Sequence, residues 1–405
     1  MRMKCVSKDA CEQISEDAMF AAKQSTLCPS CPAIIYVGRS KKDCSEYFMD
    51  ILSSTPSTVG APSSRLNFLS GSIDSKHFFL LSSSNGLICI CCKPYHIGPS
   101  TPPNTFFIVN PATQQAQSIP GAAQHLVWKK ALGLVFDPCA QPTTNTHKFQ
   151  IIDAVPITAT HDTFLEFRFL IFSSDTGRWI MSDITLNAAI KKCNCDKVVY
   201  TCGVIYWDYV ENLLWFDATR NVAGVLKIPN KLQESTREER EGHSIDVSDN
   251  GMLMCTIINK DGLAMYELVI KGERCWELKH EKGWKEIMDI SSDAFGFCHS
   301  MKLRNAWQSK FYEKWFVRPL GLESSRWVYL GVRLRYKTSD RVLRYDLKTS
   351  KMEDTGKELG NAYEMNCAFG YRNSMVALPP IAIPISEDGI CDGNPGGCIC
   401  APEEN

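Results

Sequence analysis

No apolar run in the 405 residues approaches the roughly twenty that a helix needs to cross a bilayer. The opening, with Arg2, Lys4 and Lys8 followed by Asp9, Glu12, Glu16 and Asp17, has no apolar core of the kind a secretory signal requires. There is no Asn-x-Ser/Thr sequon, and the last residues, Pro-Glu-Glu-Asn, hold no prenylation box. Neither sign of charge dominates: 44 Lys and Arg stand against 45 Asp and Glu, so the whole chain has no bulk field to draw it to nucleic acid or an anionic membrane. No Walker-type Gly loop, His-Glu-x-x-His, Gly-x-Ser-x-Gly or kinase set occurs. These absences give the expectation of a non-catalytic protein of the cytoplasm or nucleus, without cofactor and without a membrane partner.

Cysteine is present in excess, at 19 residues. The number is odd, and several thiols sit inside apolar runs, as in "GLICICC", where strand geometry puts Cys89 and Cys91 on one sheet face. They are therefore read as reduced and structural. Cys28 and Cys31, Cys193 and Cys195, and Cys398 and Cys400 have short ligand-like spacings, but a structural zinc site takes four converging ligands and no second knuckle lies at a suitable distance. Adjacent Cys298 and His299 would point to opposite faces of a strand, which excludes a nucleophile and base pair. No metal is expected.

Long amphipathic helical patterns are scarce after residue 25, and a hairpin grammar recurs instead. "NGLICIC" leads to "FFIVNPATQQAQSIP", "LGLVFDP" to "RFLIFSSDTGRWIMSDI", and "CGVIYWDY" to "NLLWFDATRNVAGVLKIP". "NGMLMCTI" leads to "GLAMYELVIKGERCWELKH", and "WVYLGVRLRY" to "DRVLRYDLKTSKMED". Gly86, Gly133, Gly203 and Gly251 mark starts separated by 47, 70 and 48 residues. Two of these intervals fit the roughly 40 to 50 residues of a four-stranded propeller blade, and the longer one has room for the loop "AQPTTNTHKF". Asp217 and Asp346 stand where a side chain accepts from backbone N–H groups two residues on and closes a turn. One hairpin cannot bury both faces, whereas sheets stacked radially can.

The pattern predicts an all-β fold, a propeller of about six four-stranded blades, with seven as the alternative count, over residues 33–378. Residues 33–48 resemble an outer hairpin that lets strands from both termini close the ring. Residues 296–325 lack the pattern and are read as a degenerate blade or a packed insertion. Residues 379–405, with four Gly in "ISEDGICDGNPGGCICAPEEN" and no apolar period, are expected to be a disordered tail.

Nine basic residues between 304 and 341 face three acidic ones, with aromatics from Trp307 to Tyr336 interleaved. Arg326, Arg333, Arg335 and Lys337 are the candidates for a nucleic-acid face. Arg333 and Arg335 alternate with Val332 and Leu334, which equally describes a solvated sheet face above a packed one. A carboxylate pair for a propeller glycosidase finds no support among the scattered Asp and Glu.

In their order, "SSSNGLICI", "FIVNPATQQAQSIP", "LGLVFDP", "FRFLIFSSDTGRWIMSD", "CGVIYWDYVENLLWFDATRNVAGVLKIP" and "LAMYELVIKGERCWELKH" resemble the successive motifs of the plant F-box-associated domain, over roughly residues 75–350. The resemblance implies a kelch-like β-propeller that follows an F-box. "RMKCVSKDACEQISEDAMFAAKQS" is similar to the closing half of an F-box, so residues 1–25 are expected to be a helical remnant whose adaptor-facing positions are Met3, Val6, Ile14 and Phe20. The implied role is target recognition in an SCF-type cullin ubiquitin ligase, with a Skp-type adaptor, the cullin and a protein target as partners. The opening Leu-Pro helix of the F-box would lie before Met1, and Ala10 stands where the family carries Trp, so weak adaptor binding is expected of this sequence.

Overall fold

Two kinds of turn punctuate the chain, and they fix where its strands reverse. The computed structural model describes residues 32–39, 47–52, 77–93, 105–120, 132–138, 147–161, 164–190, 195, 197–209, 211–229, 242–259, 261–291, 315–334, 340–359, 368–372, 374, 376 and 378–382. Strands β1 (Pro32–Arg39) and β2 (Tyr47–Leu52) come first. Four antiparallel four-stranded sheets follow: β3 (His77–Ser84), β4 (Leu87–Lys93), β5 (Thr105–Asn110) and β6 (Gln115–Ser118); β7 (Gly133–Phe136), β8 (Phe149–His161), β9 (Phe164–Ser173) and β10 (Arg178–Ala188); β11 (Val198–Thr201), β12 (Val204–Asp208), β13 (Asn212–Asp217) and β14 (Val222–Lys227); β15 (His243–Val247), β16 (Leu253–Ile258), β17 (Gly262–Lys271) and β18 (Glu273–Gly283). After a short helix, α1 (Trp284–Ile290), the fifth contains β19 (Trp315–Glu323), β20 (Trp327–Leu334), β21 (Asp340–Asp346) and β22 (Lys351–Leu359). The last strand, β23 (Ala368–Arg372), pairs with β1 and so completes the sixth sheet from both ends of the chain, in the order β2-β1-β23.

The first strand of each four-stranded sheet, and β23, face the axis. Around it β3 touches β7, β7 touches β11, and the contacts continue through β15, β19 and β23 back to β3. The chain is a six-bladed β-propeller.

Blades hold together because each strand's alternation divides its side chains between two neighbours. Along β4, Cys89 and Cys91 join the core shared with blade two, beside Phe136 and Phe149. Ile88, Ile90 and Cys92 join the core shared with blade six, beside Phe369 and Tyr371. The thiols are thus free and buried, and burial pushes that of Cys89 far up. Blades two and three meet through Phe169 and Phe216, stacked with ring centroids 4.4 Å apart. A buried side chain of this size contributes about 1.5–3 kcal/mol, so the six interfaces supply most of the stability.

In four sheets the third strand ends in one device. Asn110 Oδ1 accepts from Ala112 N at 2.9 Å, Asp217 Oδ1 from Thr219 N at 3.0 Å, and Asp346 Oδ1 from Lys348 N at 2.9 Å. In blade two, Ser173 Oγ accepts from Asp175 N at 3.3 Å. Four residues after each of these side chains the backbone is left-handed, at Gln114, Asn221, Ser350 and Gly177. Between first and second strands, Asn85 (φ 43°) and Gly86 (φ 96°) form the tight reversal that hairpin twist favours, and any side chain on Gly86 would collide with Ser374. Both kinds of turn lie at one end of the ring, the turn end; connections between blades lie at the other.

Three expectations need correction. Gly133 is not equivalent to the other marker glycines: it opens the innermost strand β7, whereas Gly86, Gly203 and Gly251 lie in the turns before second strands. The 70-residue interval therefore compares different places in two blades. Residues 315–325 are neither a degenerate blade nor an insertion, since β19 is the inner strand of blade five. Its alternation is hidden because the pairing with β20 shifts register between Pro319 and Gly321. Finally, the ordered chain runs past 378. Val376 is buried in the core of blades one and two, Leu378 and Ile381 pack against it, and Ala382 N donates to Ser174 O at 2.8 Å. Residues 1–25 and the tail from 383 lie outside the described residues.

Asn110 does more than its turn-forming counterparts, because its Nδ2 also donates to Ser374 O (3.2 Å) and Val376 O (2.6 Å). Replacing Asp217 by Ala should cost about 1 kcal/mol, a single net hydrogen-bonded turn, whereas Asn110→Ala strands two buried carbonyls and should cost about 3 kcal/mol. Urea unfolding of both variants checks the order.

Candidate functional site

The inner strands enclose a channel of about 760 Å³, lined by residues of all six blades. Six strands converging on an axis leave a gap that side chains of ordinary size do not fill, and here one lysine crosses it. Lys197, just before β11, donates from Nζ to Asp246 Oδ1 at 2.7 Å and to Ser244 Oγ at 2.8 Å, both on β15. The same nitrogen lies 3.5 Å from Leu320 O on β19 and 5.7 Å from the centroid of the Phe369 ring on β23. Ser244 Oγ donates to Asp246 Oδ2 at 3.1 Å. The side chains of Lys197 and Asp246 are only 10% and 3% exposed. Burial pushes the Asp246 carboxyl up, against the opposing pull of Lys197, of Ser244 and of the Leu322 backbone amide.

Beside this bolt, His243 Nε2 lies 2.8 Å from Asp208 Oδ2 and ties blade four to blade three. Toward the mouth, burial, with Asp137 adding to it, pushes the Tyr200 phenol up to about 12, and burial keeps His147 below the usual imidazole range. Both are therefore neutral at pH 7.

At the mouth, turns of different blades are joined by hydrogen bonds to backbone carbonyls and to one turn carboxylate. Asn85 Nδ2 donates to Phe136 O at 2.6 Å, and Thr201 Oγ1 donates to Gly251 O. Arg372 donates to Ser248 O at 2.9 Å, and Ser325 N to Asp249 Oδ2 at 2.9 Å. The turns are thus fixed relative to one another, while their outward side chains remain available.

Those side chains carry charge of both signs. Two of the acids that close turns fold inward onto their own backbone amides: Asp217 is 7% exposed and its neighbour Arg220 80%; Asp346 is 5% exposed and Arg326, which grips it at 2.8 Å, 53%. Lys148 and Asp175 form an open pair at 2.7 Å, and Asp137 and Asp249 are exposed as well.

Of the residues singled out in the sequence, Arg326 is in the β19–β20 turn, paired with Asp346 and 4.8 Å above the Trp327 ring. Arg333 lies on β20 but its side chain, like Arg335 and Lys337, falls outside the described residues. The basic run is partly neutralised from beyond its own end, since Arg341 meets Asp354 at 2.6 Å and Arg326 meets Asp346 at 2.8 Å. Met3, Val6, Ile14 and Phe20 are outside the described residues, as are Cys28, Cys31, Cys193, Cys298, His299, Cys398 and Cys400. Cys195 is in no disulfide and its Sγ donates to Lys197 O at 3.3 Å, and among the described residues no group of His, Cys, Asp and Glu has the arrangement of a metal site. Sequence reasoning missed Lys197 and Asp246. The available signal was a charge within or at the edge of a short apolar run, in "DKVVYT" and "HSIDVS".

A family profile described as F-box protein At3g26010-like, beta-propeller, matches residues 54–303. No curated protein matches the chain. Among solved structures, a putative 6-phosphogluconolactonase from Bacteroides uniformis is 9% identical, with 84% of this chain and 99% of that one covered and a TM-score of 0.36. A protein from Lactobacillus plantarum is 10% identical, with the same coverages and a TM-score of 0.36. The α-L-arabinofuranosidase Arb93A of Fusarium graminearum is 8% identical, with 68% of this chain and 79% of that one covered and a TM-score of 0.31. None of the three bears on what this chain does.

Two outcomes follow from the electrostatics. Lys197→Met or Asp246→Leu alone leaves an uncompensated charge in the channel and should cost about 3–5 kcal/mol, whereas the double variant should recover most of the loss; urea unfolding distinguishes them. Asp346 is held at about 2, burial pushing it up but Arg326 and the turn amides pulling it further down. Its contribution to stability is complete above the ordinary carboxylate value of 3.8 and disappears as pH falls toward 2. Asp346→Asn should therefore lower stability at pH 7 and flatten its dependence on pH between about 4 and 2, measurable by thermal unfolding across that range.

Proposed function

Because this chain belongs to the F-box protein At3g26010-like β-propeller family, we propose that it is a non-catalytic receptor that holds a protein target on the turn end of its ring. Its role is that of the target-recognition subunit of an SCF-type cullin ubiquitin ligase. A Skp-type adaptor joins the F-box side of the receptor to the cullin, and ubiquitin transfer takes place on other subunits. The chemistry asked of the propeller is proximity alone: it raises the local concentration of target lysines near the transferring subunit.

The observation that carries this reading is the construction of the mouth. Hydrogen bonds lock the turns to one another, and their outward side chains form a rigid, charged surface suited to a macromolecular partner. The interior favours a scaffold over an active site. Glycoside hydrolysis needs two accessible carboxylates flanking a bond. Asp246 has both oxygens engaged, and Asp175 is held by Lys148.

A chain with an intact F-box fused ahead of Met1 should co-purify with a Skp-type adaptor. In a reconstituted ligase it should promote ubiquitination of proteins cross-linked to the turn end. Arg220→Glu, at an outward side chain 80% exposed, should lower that modification by about tenfold, as loss of one contact with a target does, without changing adaptor recruitment. Failure of the fused chain to recruit the adaptor, or modification that the turn-end variant leaves intact, would remove the receptor reading.

A further inference from the structure

The outermost strand of a blade turns one row of N–H and C=O groups away from its sheet, and such an edge invites pairing unless something blocks it. Of the outer strands of the five four-stranded blades, four are blocked. The pairing of β10 shifts register between Met181 and Thr185, that of β18 opposite Met265 and Tyr266, and that of β22 opposite Arg341 and Leu343, and all three strands carry charged residues along their length. β6 is only four residues long, and the chain after β23 runs beside it as a strap, with Leu378 N donating to Gln115 Oε1 at 2.8 Å. The exception is β14, Val-Ala-Gly-Val-Leu-Lys. It pairs with β13 without a break from Val222 to Lys227, and its one charge is at its last residue.

The register says which groups lie open. Ile228 N donates to Glu211 O at 3.3 Å, and bonded pairs alternate along an antiparallel ladder, so Val222, Gly224 and Leu226 turn their N–H and C=O toward β13. Ala223, Val225 and Lys227 turn theirs outward. Trp276 Nε1 of β18 donates to Lys227 O at 2.8 Å from that outer side. The three remaining N–H groups and the carbonyls of Ala223 and Val225 have no protein partner among the described residues. Apolar side chains stand around them. Val222 and Val225 are exposed, as are Ile180 and Met181 on β10, which lies alongside with Ser182 Oγ donating to Asn221 Oδ1 at 3.4 Å. Blade four contributes exposed Ile270, paired with Arg274, whose guanidinium lies 3.7 Å over the Trp215 ring of blade three.

We propose that the outer edge of β14 binds an extended, uncharged segment of another protein, which adds to blade three as a fifth strand. Alternating N–H and C=O groups are matched by a backbone of the same repeat, and Ile180, Met181 and Ile270 favour branched or aromatic side chains on it over charged ones. Size decides between a segment and a second folded copy of this chain. The six residues of β14 span about 20 Å, and a strip about 10 Å wide along them offers roughly 200 Å², against the roughly 800 Å² that each partner contributes to a stable complex of folded proteins. The site is on the outer wall of the ring, so it goes beyond the receptor reading of the turn end and does not depend on it.

The probe is the peptide Lys-Thr-Val-Thr-Val-Thr-Lys, capped at both ends and labelled with a fluorophore, titrated with the full chain and followed by anisotropy. It should bind, and the same peptide methylated on its Thr and Val amides should bind at least tenfold more weakly. Val225→Pro removes an outward N–H without touching the ladder to β13 and should weaken binding at least tenfold. Val225→Lys sets a charge on the edge, should do the same, and keeps the test valid if the proline variant does not fold. In chain labelled with nitrogen-15 valine, bound peptide should slow hydrogen exchange at the Val225 amide and leave Val222, already bonded to β13, unchanged. If the peptide does not bind, if amide methylation or the Val225 variants leave its affinity within twofold, or if Val225 exchanges as fast with peptide as without, the proposal is wrong. A dimer in sedimentation that Val225→Lys dissociates would assign the edge to a second copy and would equally overturn it.

Discussion

A single ammonium group connects four of the six blades. Lys197 belongs to blade three, pairs with blade four, lies against a carbonyl of blade five and faces an aromatic ring of blade six. Taking both charges out of water costs several kcal/mol each, and their attraction offsets that only when the remaining hydrogen-bonding capacity is also met. Ser244 and the Leu322 amide meet it on the Asp246 side. The bolt is therefore better understood as specifying which blades stand opposite one another than as a large net source of stability. The blade cores, being apolar and non-directional, do not by themselves encode angular order. What Lys197 leaves unspanned is covered by the strap, which runs from blade six over blade one to blade two, and by the Phe169 and Phe216 stack between blades two and three. Together these restraints go once round the circle.

Features that depend on neighbours along the chain were legible in the sequence. Asp217 and Asp346 accept from amides two residues on, as their turn position required, and Cys89 and Cys91 share one core while Cys92 joins another, as period two required. The repeated runs became strands and the ring has six blades. Legibility failed where the local signal was interrupted or the partner was remote. The bulge at Pro319 and Gly321 broke the alternation of β19 and hid an inner strand. Gly133 looked like a turn marker, but it is a glycine because the Ile205 side chain of the next blade packs where its Cβ would be. Lys197 and Asp246 lie 49 residues apart in neighbouring blades, and nothing in either segment names the other. The basic run between 304 and 341 was weighed without Asp346 and Asp354, which lie beyond its end and pair with Arg326 and Arg341.

The turn residues have an electrostatic consequence that a charge count does not reveal. An Asp that closes a turn accepts backbone N–H groups and becomes buried, so its charge is partly consumed by local dipoles. A basic neighbour with a long stem extends into water to solvate its own charge. Acids that do not close their turn stay in water, as Asp137, Asp175 and Asp249 do, so the turns together expose charge of both signs. In a propeller they cluster at one end, because the strand order places every first and third reversal there.

That same order decides how a receptor of this kind is mounted. Pro32 pairs with Arg372, so residues preceding β1 join the ring at the turn end, close to the mouth and on the blade from which the strap departs. The described chain thus begins and β23 ends at the same end of the ring. Were β1 to run in the other direction, the same segment would emerge among the blade connections, with the length of the channel between it and the mouth. For a protein whose proposed task is to bring two bodies together, the antiparallel pairing of first and last strands is then more than a closure device. It brings the start of β1 and the end of β23 together at one end of the ring, beside the channel mouth.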